Sequence, residues 1–148
     1  MNATPPTILE GTLQAPPARV FRAWTTSADI AQWWHPNDAD VVPGSMEADP
    51  REEGVLTLVL READTHDVRR IVGRYIALDE PHFVEVEYGY GTERHRITAS
   101  MEPHEVGTHL TIALRFDASD DVAPHLARGW SEALRALGRL VASHADDA

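Results

Sequence analysis

Histidine, tyrosine and tryptophan carry most of the chemistry this sequence could perform. Among eight histidines, His104 and His109 come nearest to ligand spacing, in the run His-Glu-x-x-x-His. That run is one residue longer than the two-histidine zinc motif and falls on an expected hairpin, with no third ligand evident, so no metal is expected. His95 differs, because its side chain shares a strand face with Ile97, Ala99 and Met101. A polar ring on an apolar face needs a partner. Either it sits solvated at the strand end beside Gly91-Thr92-Glu93, or it is a hydrogen-bonding or proton-transfer group in a cavity. Tyr75, Tyr88 and Tyr90 could turn hydroxyls into such a cavity, or be plain core. Trp33 and Trp34 are adjacent and cannot point the same way on a helix, so one is expected to pack and the other to border an opening. Glu85 and Glu87 share the outer face of a strand and read as solvated surface, not as an acid/base pair. Ser27 and Ser131 lack a Gly-x-Ser-x-Gly context, and there is no glycine-rich phosphate loop, so no catalytic residue and no cofactor is expected.

Composition narrows the function classes further. With 148 residues the chain is expected to be one domain able to bury a core. It has no cysteine, which excludes disulfides, thiolate metal sites and thiol nucleophiles. The net charge is −11 and all thirteen basic residues are arginine, so no nucleic-acid backbone and no anionic membrane is expected as partner. No apolar run is long enough to span a bilayer, and Met1 to Pro6 lacks the regions of a signal peptide. A cytoplasmic location is the expectation.

The elements that must position these side chains are legible in the periodicity. Val122 to His144 predicts one long amphipathic helix, with Leu126, Trp130, Ala133, Leu134, Leu137, Leu140 and Val141 on one stripe. Asp120 and Asp121 are expected to cap it, and Asp146-Asp147 to be a tail. Thr7 to Gln14 predicts a first strand. Pro17 can open a short helix with Val20, Phe21 and Trp24 on its apolar side. Ser27 is expected to cap a second, ended by His35-Pro36. A weak strand over Val41 to Asp49 is broken at Pro43-Gly44. Strands follow over Val55 to Leu60, Arg69 to Leu78, His82 to Tyr90, Arg94 to Glu102 and Thr108 to Phe116. Gly73 inside the second of these marks a bulge or a close approach. Short turns between consecutive strands argue for a curved antiparallel sheet of six to seven strands wrapped around the long terminal helix, an α+β fold.

At this point the chain resembles a known family. The run PPARVFRAWTTSADIAQWWHP around Pro17 to Trp34 is similar to the opening of the SRPBCC superfamily, in the branch named after the activator of Hsp90 ATPase (AHSA1-like proteins). GRYIALDEP from Gly73 to Pro81, GTHLTIALRF from Gly107 to Phe116, and Gly129-Trp130 followed by Leu134 and Leu137 resemble the family's later strands and its helix. One departure stands out: where the family often has paired glycines after an Asp-x-Arg turn, Asp49 and Arg51 are followed by Glu53-Gly54. The resemblance implies a helix-grip (Bet v1/START-like) fold with a hydrophobic cavity beneath the terminal helix. It implies little about one chemistry, because members include proposed lipid or polyketide binders, cyclase-like enzymes and chaperone regulators.

The expectation is a small-molecule binding protein, a monomer or homodimer, holding a small hydrophobic or amphipathic ligand between sheet and helix. Trp33, Trp34, Tyr75, Tyr88, Tyr90, His95, Met101, Trp130 and Leu134 are the candidate ligand-binding residues. The alternatives are a cyclase- or hydrolase-like enzyme using the same cavity, with His95 or a tyrosine as acid/base, and a chaperone- or stress-related interaction module.

Overall fold

A computed structural model describes residues 6–119 and 121–143. In chain order the elements are β1 (Thr7–Leu13), α1 (Pro17–Thr25), α2 (Ser27–Trp33), β2 (Ala39–Val41), β3 (Glu47–Ala48), β4 (Val55–Glu62), β5 (Val68–Asp79), β6 (Phe83–Tyr90), β7 (His95–His104), β8 (Gly107–Arg115) and α3 (Ala123–Ser143). Every strand pairing is antiparallel, in the order β1-β8-β7-β6-β5-β4-β2, with β3 beside β2 on β4. The weak strand expected over Val41 to Asp49 is thus two fragments that share one edge position. Short turns make neighbours in sequence neighbours in space, and β1 closes on the last strand, so the sheet curls around the helices.

Alternation decides which face each strand turns to α3. Val84, Val86 and Tyr88 on β6, Ile97, Ala99 and Met101 on β7, and Leu110, Ile112 and Leu114 on β8 are buried. The outer face of the same strands is a charge ladder. Arg96 reaches Glu87 at 3.0 Å and Glu85 at 3.3 Å, and Arg74 reaches Glu87 at 3.5 Å. The Arg96 hydrogen bond and the Arg74 charge hold the Glu87 carboxyl below its ordinary range, against a smaller opposing effect of burial. Gly73 is not at the bulge, which lies between Tyr75 and Ala77. It is a close approach instead: a Cβ there would sit 2.5 Å from the Glu87 carbonyl oxygen.

Both short helices start and stop for local reasons. Pro17 opens α1, and the buried Arg19 reaches Asp29 at 2.9 Å, tying α1 to α2. The cap of α2 is Thr26, not Ser27, and it makes no side-chain cap bond. The last carbonyls of α1 lack intrahelical donors. Trp33 Nε1 donates to Ala23 at 2.9 Å and the Tyr75 hydroxyl to Trp24 at 2.9 Å. Those two bonds fix both aromatic side chains in the core. On α3, Trp130, Ala133, Leu137, Leu140 and Val141 are buried, while Leu126 and Leu134 are half-buried. Asp121 is exposed. Asp120, the other expected cap, lies outside the described residues, as do His144, Asp146 and Asp147.

The Asp49-to-Gly54 turn carries the departure at Glu53 on a left-handed backbone. Glu53 adopts a left-handed φ of 65° and its N–H donates to the Tyr75 carbonyl at 2.8 Å. Asp49 holds Arg51 at 2.7 Å, and Gly54 leaves no room for a side chain, since a Cβ would lie 2.0 Å from the Asp49 carbonyl oxygen.

Candidate functional site

The C-terminal half of α3 and the centre of the sheet enclose solid core. Trp24, Trp33, Tyr75, Leu56, Met101 and Leu137 there are fully buried. Besides a second groove of similar volume between β1 and α3, the space between helix and sheet opens toward the N-terminal half of α3. There His125 to Ala133 spans the ends of β4 and β5 and the β6–β7 turn, and the segment Trp34 to Ala39 forms the facing wall. The result is a cleft of about 350 Å³. Two features hold its walls. Asn37 N–H donates to Glu132 Oε1 at 2.9 Å, and Gly129 lets α3 approach Pro36 so closely that a Cβ would lie 3.3 Å from the proline side chain.

Aromatic rings make the inner end. Trp34, Tyr88 and Trp130 are mutually in contact, with centroid separations of 5.5, 5.0 and 5.9 Å, mostly edge to face. Behind them Trp130 stacks on Trp24 at 6.2 Å, and Trp24 meets Trp33 at 4.6 Å. The Trp130 indole donates to the Tyr88 hydroxyl at 2.7 Å. Burial pushes the Tyr88 phenol up, with the Glu93 charge adding to it and the Trp130 bond offsetting part, so the hydroxyl stays protonated at neutral pH. Burial, aided by the Asp49 charge, acts the same way on Tyr75.

His95 is buried rather than solvated at the rim, being only 3% exposed, and both of its ring nitrogens are engaged. The Asp117 N–H can only donate, and it reaches Nδ1 at 2.9 Å. In the neutral ring the proton therefore sits on Nε2, which faces Glu93 Oε1 at 3.2 Å. Phe116 packs edge-on at 5.7 Å and Tyr88 lies 5.3 Å away. A ring held this way orients its neighbours, and it has no free nitrogen to offer a reacting atom.

Of the residues expected from sequence, Trp34, Tyr88, Tyr90, His95 and Trp130 line the cleft together. Trp33, Tyr75 and Met101 do not: each is fully buried in the core, the first two held by their bonds to α1. Leu134 faces a separate groove between β1 and α3, with Leu9 and Ile112. The Asp49-to-Gly54 turn is not at the cleft mouth. Residues that sequence reasoning did not select include Pro36, Leu60, Ile71, Gly89 and Leu126. Gly89 carried a signal, as a glycine within a clean alternation: a Cβ there would lie 2.2 Å from the Glu93 carbonyl oxygen, so it lets the turn fold back over the cleft. Among the described residues, no group of three or more histidine or carboxylate side chains could hold a metal ion, and no helix is long and apolar enough to cross a membrane.

Comparison with known proteins adds the following. Residues 14–142 match the family described as "Activator of Hsp90 ATPase homolog 1-like protein". No curated protein sequence matches. Among solved structures, a Chromobacterium violaceum protein superposes with TM-score 0.83 at 22% identity, over 93% of this chain and 96% of that one. An AHSA1 protein from Silicibacter pomeroyi gives TM-score 0.81 at 20% identity, over 94% and 99%. An AHSA1-like protein from Aeromonas hydrophila gives 0.76 at 16% identity, over 94% and 93%. At these identities the similarity concerns the fold alone.

Proposed function

We propose, for a chain that belongs to the activator of Hsp90 ATPase homolog 1-like family, that it binds a small apolar or amphipathic molecule in the cleft under the N-terminal half of α3. The observation that carries this reading is the aromatic inner end: Trp34, Tyr88 and Trp130 pack edge to face as one cluster, and that cluster lines a cleft of about 350 Å³. That volume lies at the lower end of small-ligand sites, about 300–1,000 Å³. Burial of apolar ligand surface supplies the affinity, at about 25 cal/mol per Å² before ordering costs. The binding reading is favoured over acid/base catalysis because the two nitrogens of His95 are already bonded.

The test is native mass spectrometry of freshly purified protein against its denatured mass, in wild type and in Leu126→Trp, which fills the cleft from α3. An adduct that leaves on denaturation and is absent from the variant supports the reading. An adduct held equally by both contradicts it, and so does a bare wild-type mass combined with no uptake of added apolar probes.

A further inference from the structure

The Tyr88 hydroxyl in the cleft accepts from Trp130, and it carries a hydrogen for which no described residue is the acceptor. Tyr88 as a whole is only 8% exposed, and what it does expose lines the cleft. Two groups beside it are already engaged: Trp130 Nε1 donates to Tyr88 itself, and His95 is bonded to Asp117 and Glu93. Trp34, which also lines the cleft, makes no side-chain hydrogen bond with any described residue. The inner end thus offers the Tyr88 hydroxyl and the Trp34 indole as hydrogen-bond donors. A buried donor left unmade is costly, and a ligand atom that accepts it recovers that cost. The rim has the opposite character. Asp38, Glu62, Glu93 and Glu132 stand there against Arg69 and Arg128, and Arg69 is already paired with Glu62. Such a rim repels anions on approach.

We propose that the molecule bound in this cleft is an uncharged, flat, largely apolar compound with an oxygen acceptor (a carbonyl, ether or hydroxyl oxygen) that takes the Tyr88 hydrogen at the inner end. The proposal rests on the cleft being the binding site. It then selects within apolar ligands: the aromatic walls take a planar body, Tyr88 reads one oxygen, and the acidic rim excludes carboxylates and phosphates. Trp130 acts as a positioning residue, because its donation fixes which lone pair of Tyr88 is occupied and so where the hydroxyl hydrogen is aimed.

Three matched bicyclic probes test this by calorimetry on the full chain: 2-acetylnaphthalene, with a carbonyl acceptor; 2-isopropylnaphthalene, of similar shape without one; and 2-naphthoate, an anion. The ketone is expected to bind about tenfold tighter than the hydrocarbon, and the naphthoate more weakly than the ketone. In Tyr88→Phe the ketone and the hydrocarbon should bind alike. If that variant does not fold, the wild-type comparison still decides. Equal wild-type affinity for ketone and hydrocarbon, with both lost in Leu126→Trp, would overturn the oxygen preference and leave the cleft as the site. A preference that survives both in Tyr88→Phe and in the double variant with Trp130→Phe, which removes the indole donor freed by the first change, would remove Tyr88 as its source. Naphthoate binding tightest would overturn the exclusion of anions. Binding by none of the three would overturn this proposal together with the reading of the cleft.

Discussion

The Trp130 indole and the Tyr88 hydroxyl meet at 2.7 Å, joining the terminal helix to the middle of the sheet at the inner end of the cleft. Both residues are over nine-tenths buried, so the bond is made where water cannot replace it. Trp130→Phe removes the donor and part of the packing. It should cost about 2 kcal/mol and lower Tm by about 4–8 °C, read by thermal melts. The double variant with Tyr88→Phe should be less destabilised than the sum of the two singles, by about 0.5–2 kcal/mol. Strict additivity would mean that the bond contributes nothing.

Glu53 holds a left-handed backbone, φ 65°, where glycine is at ease. Glu53→Gly relieves that strain but loses an exposed ion pair to Arg74, itself worth little. The expected net effect is a gain of up to about 1 kcal/mol, whereas Glu53→Ala, equally strained and lacking the ion pair, should lose up to about 1 kcal/mol. Denaturant melts that rank alanine above glycine would refute the strain argument.

Gly89 has no space for a side chain, since a Cβ would lie 2.2 Å from the Glu93 carbonyl oxygen. Gly89→Ala must push the β6–β7 turn away from the strand. We expect a loss of about 2 kcal/mol or more and weakened probe binding, because Glu93, Tyr90 and His95 move with that turn. Unaltered binding and stability would show that the turn is less constrained than its geometry implies.

The Glu87 carboxyl, held low by Arg96 and Arg74, makes a pH prediction with a definite sign. A carboxyl depressed in the folded state stabilises above its ordinary value of 4.5, and the contribution fades as pH falls through the depressed value. The Tm difference between wild type and Glu87→Gln should therefore be largest near neutral pH and shrink below about pH 4. A difference that grows on acidification would contradict the ladder's role.

Much of the fold was legible because the strands alternate. Val84, Val86 and Tyr88 point inward and Glu85 and Glu87 outward, as period two requires, and the α3 stripe follows period 3.6. The site was legible only in part. Tyr75 and Tyr88 look equivalent in sequence, both inward on neighbouring strands, yet one caps α1 inside the core and the other faces the cleft. What separates them is where α1 and α3 cross the sheet, which is a tertiary fact. Trp33 and Trp34 were expected to divide between packing and an opening, and the choice falls to whichever indole reaches the orphan Ala23 carbonyl. His95 could be placed on the apolar face, but Asp117, twenty-two positions on, supplies the bond that fixes its proton. The Glu53 turn, where the sequence departs from the paired-glycine pattern, holds a left-handed φ that the sequence did not announce.

The most direct test of the binding account is the ¹H–¹⁵N correlation spectrum of the protein titrated with 2-acetylnaphthalene. The account predicts saturable shifts at the Trp34 and Trp130 indole resonances and at the amides of Tyr88, Gly89 and Leu126. The amides of Leu9 and Leu134, in the groove on the other side of α3, should stay in place. Shifts confined to that second groove, or none at saturating probe, would contradict it.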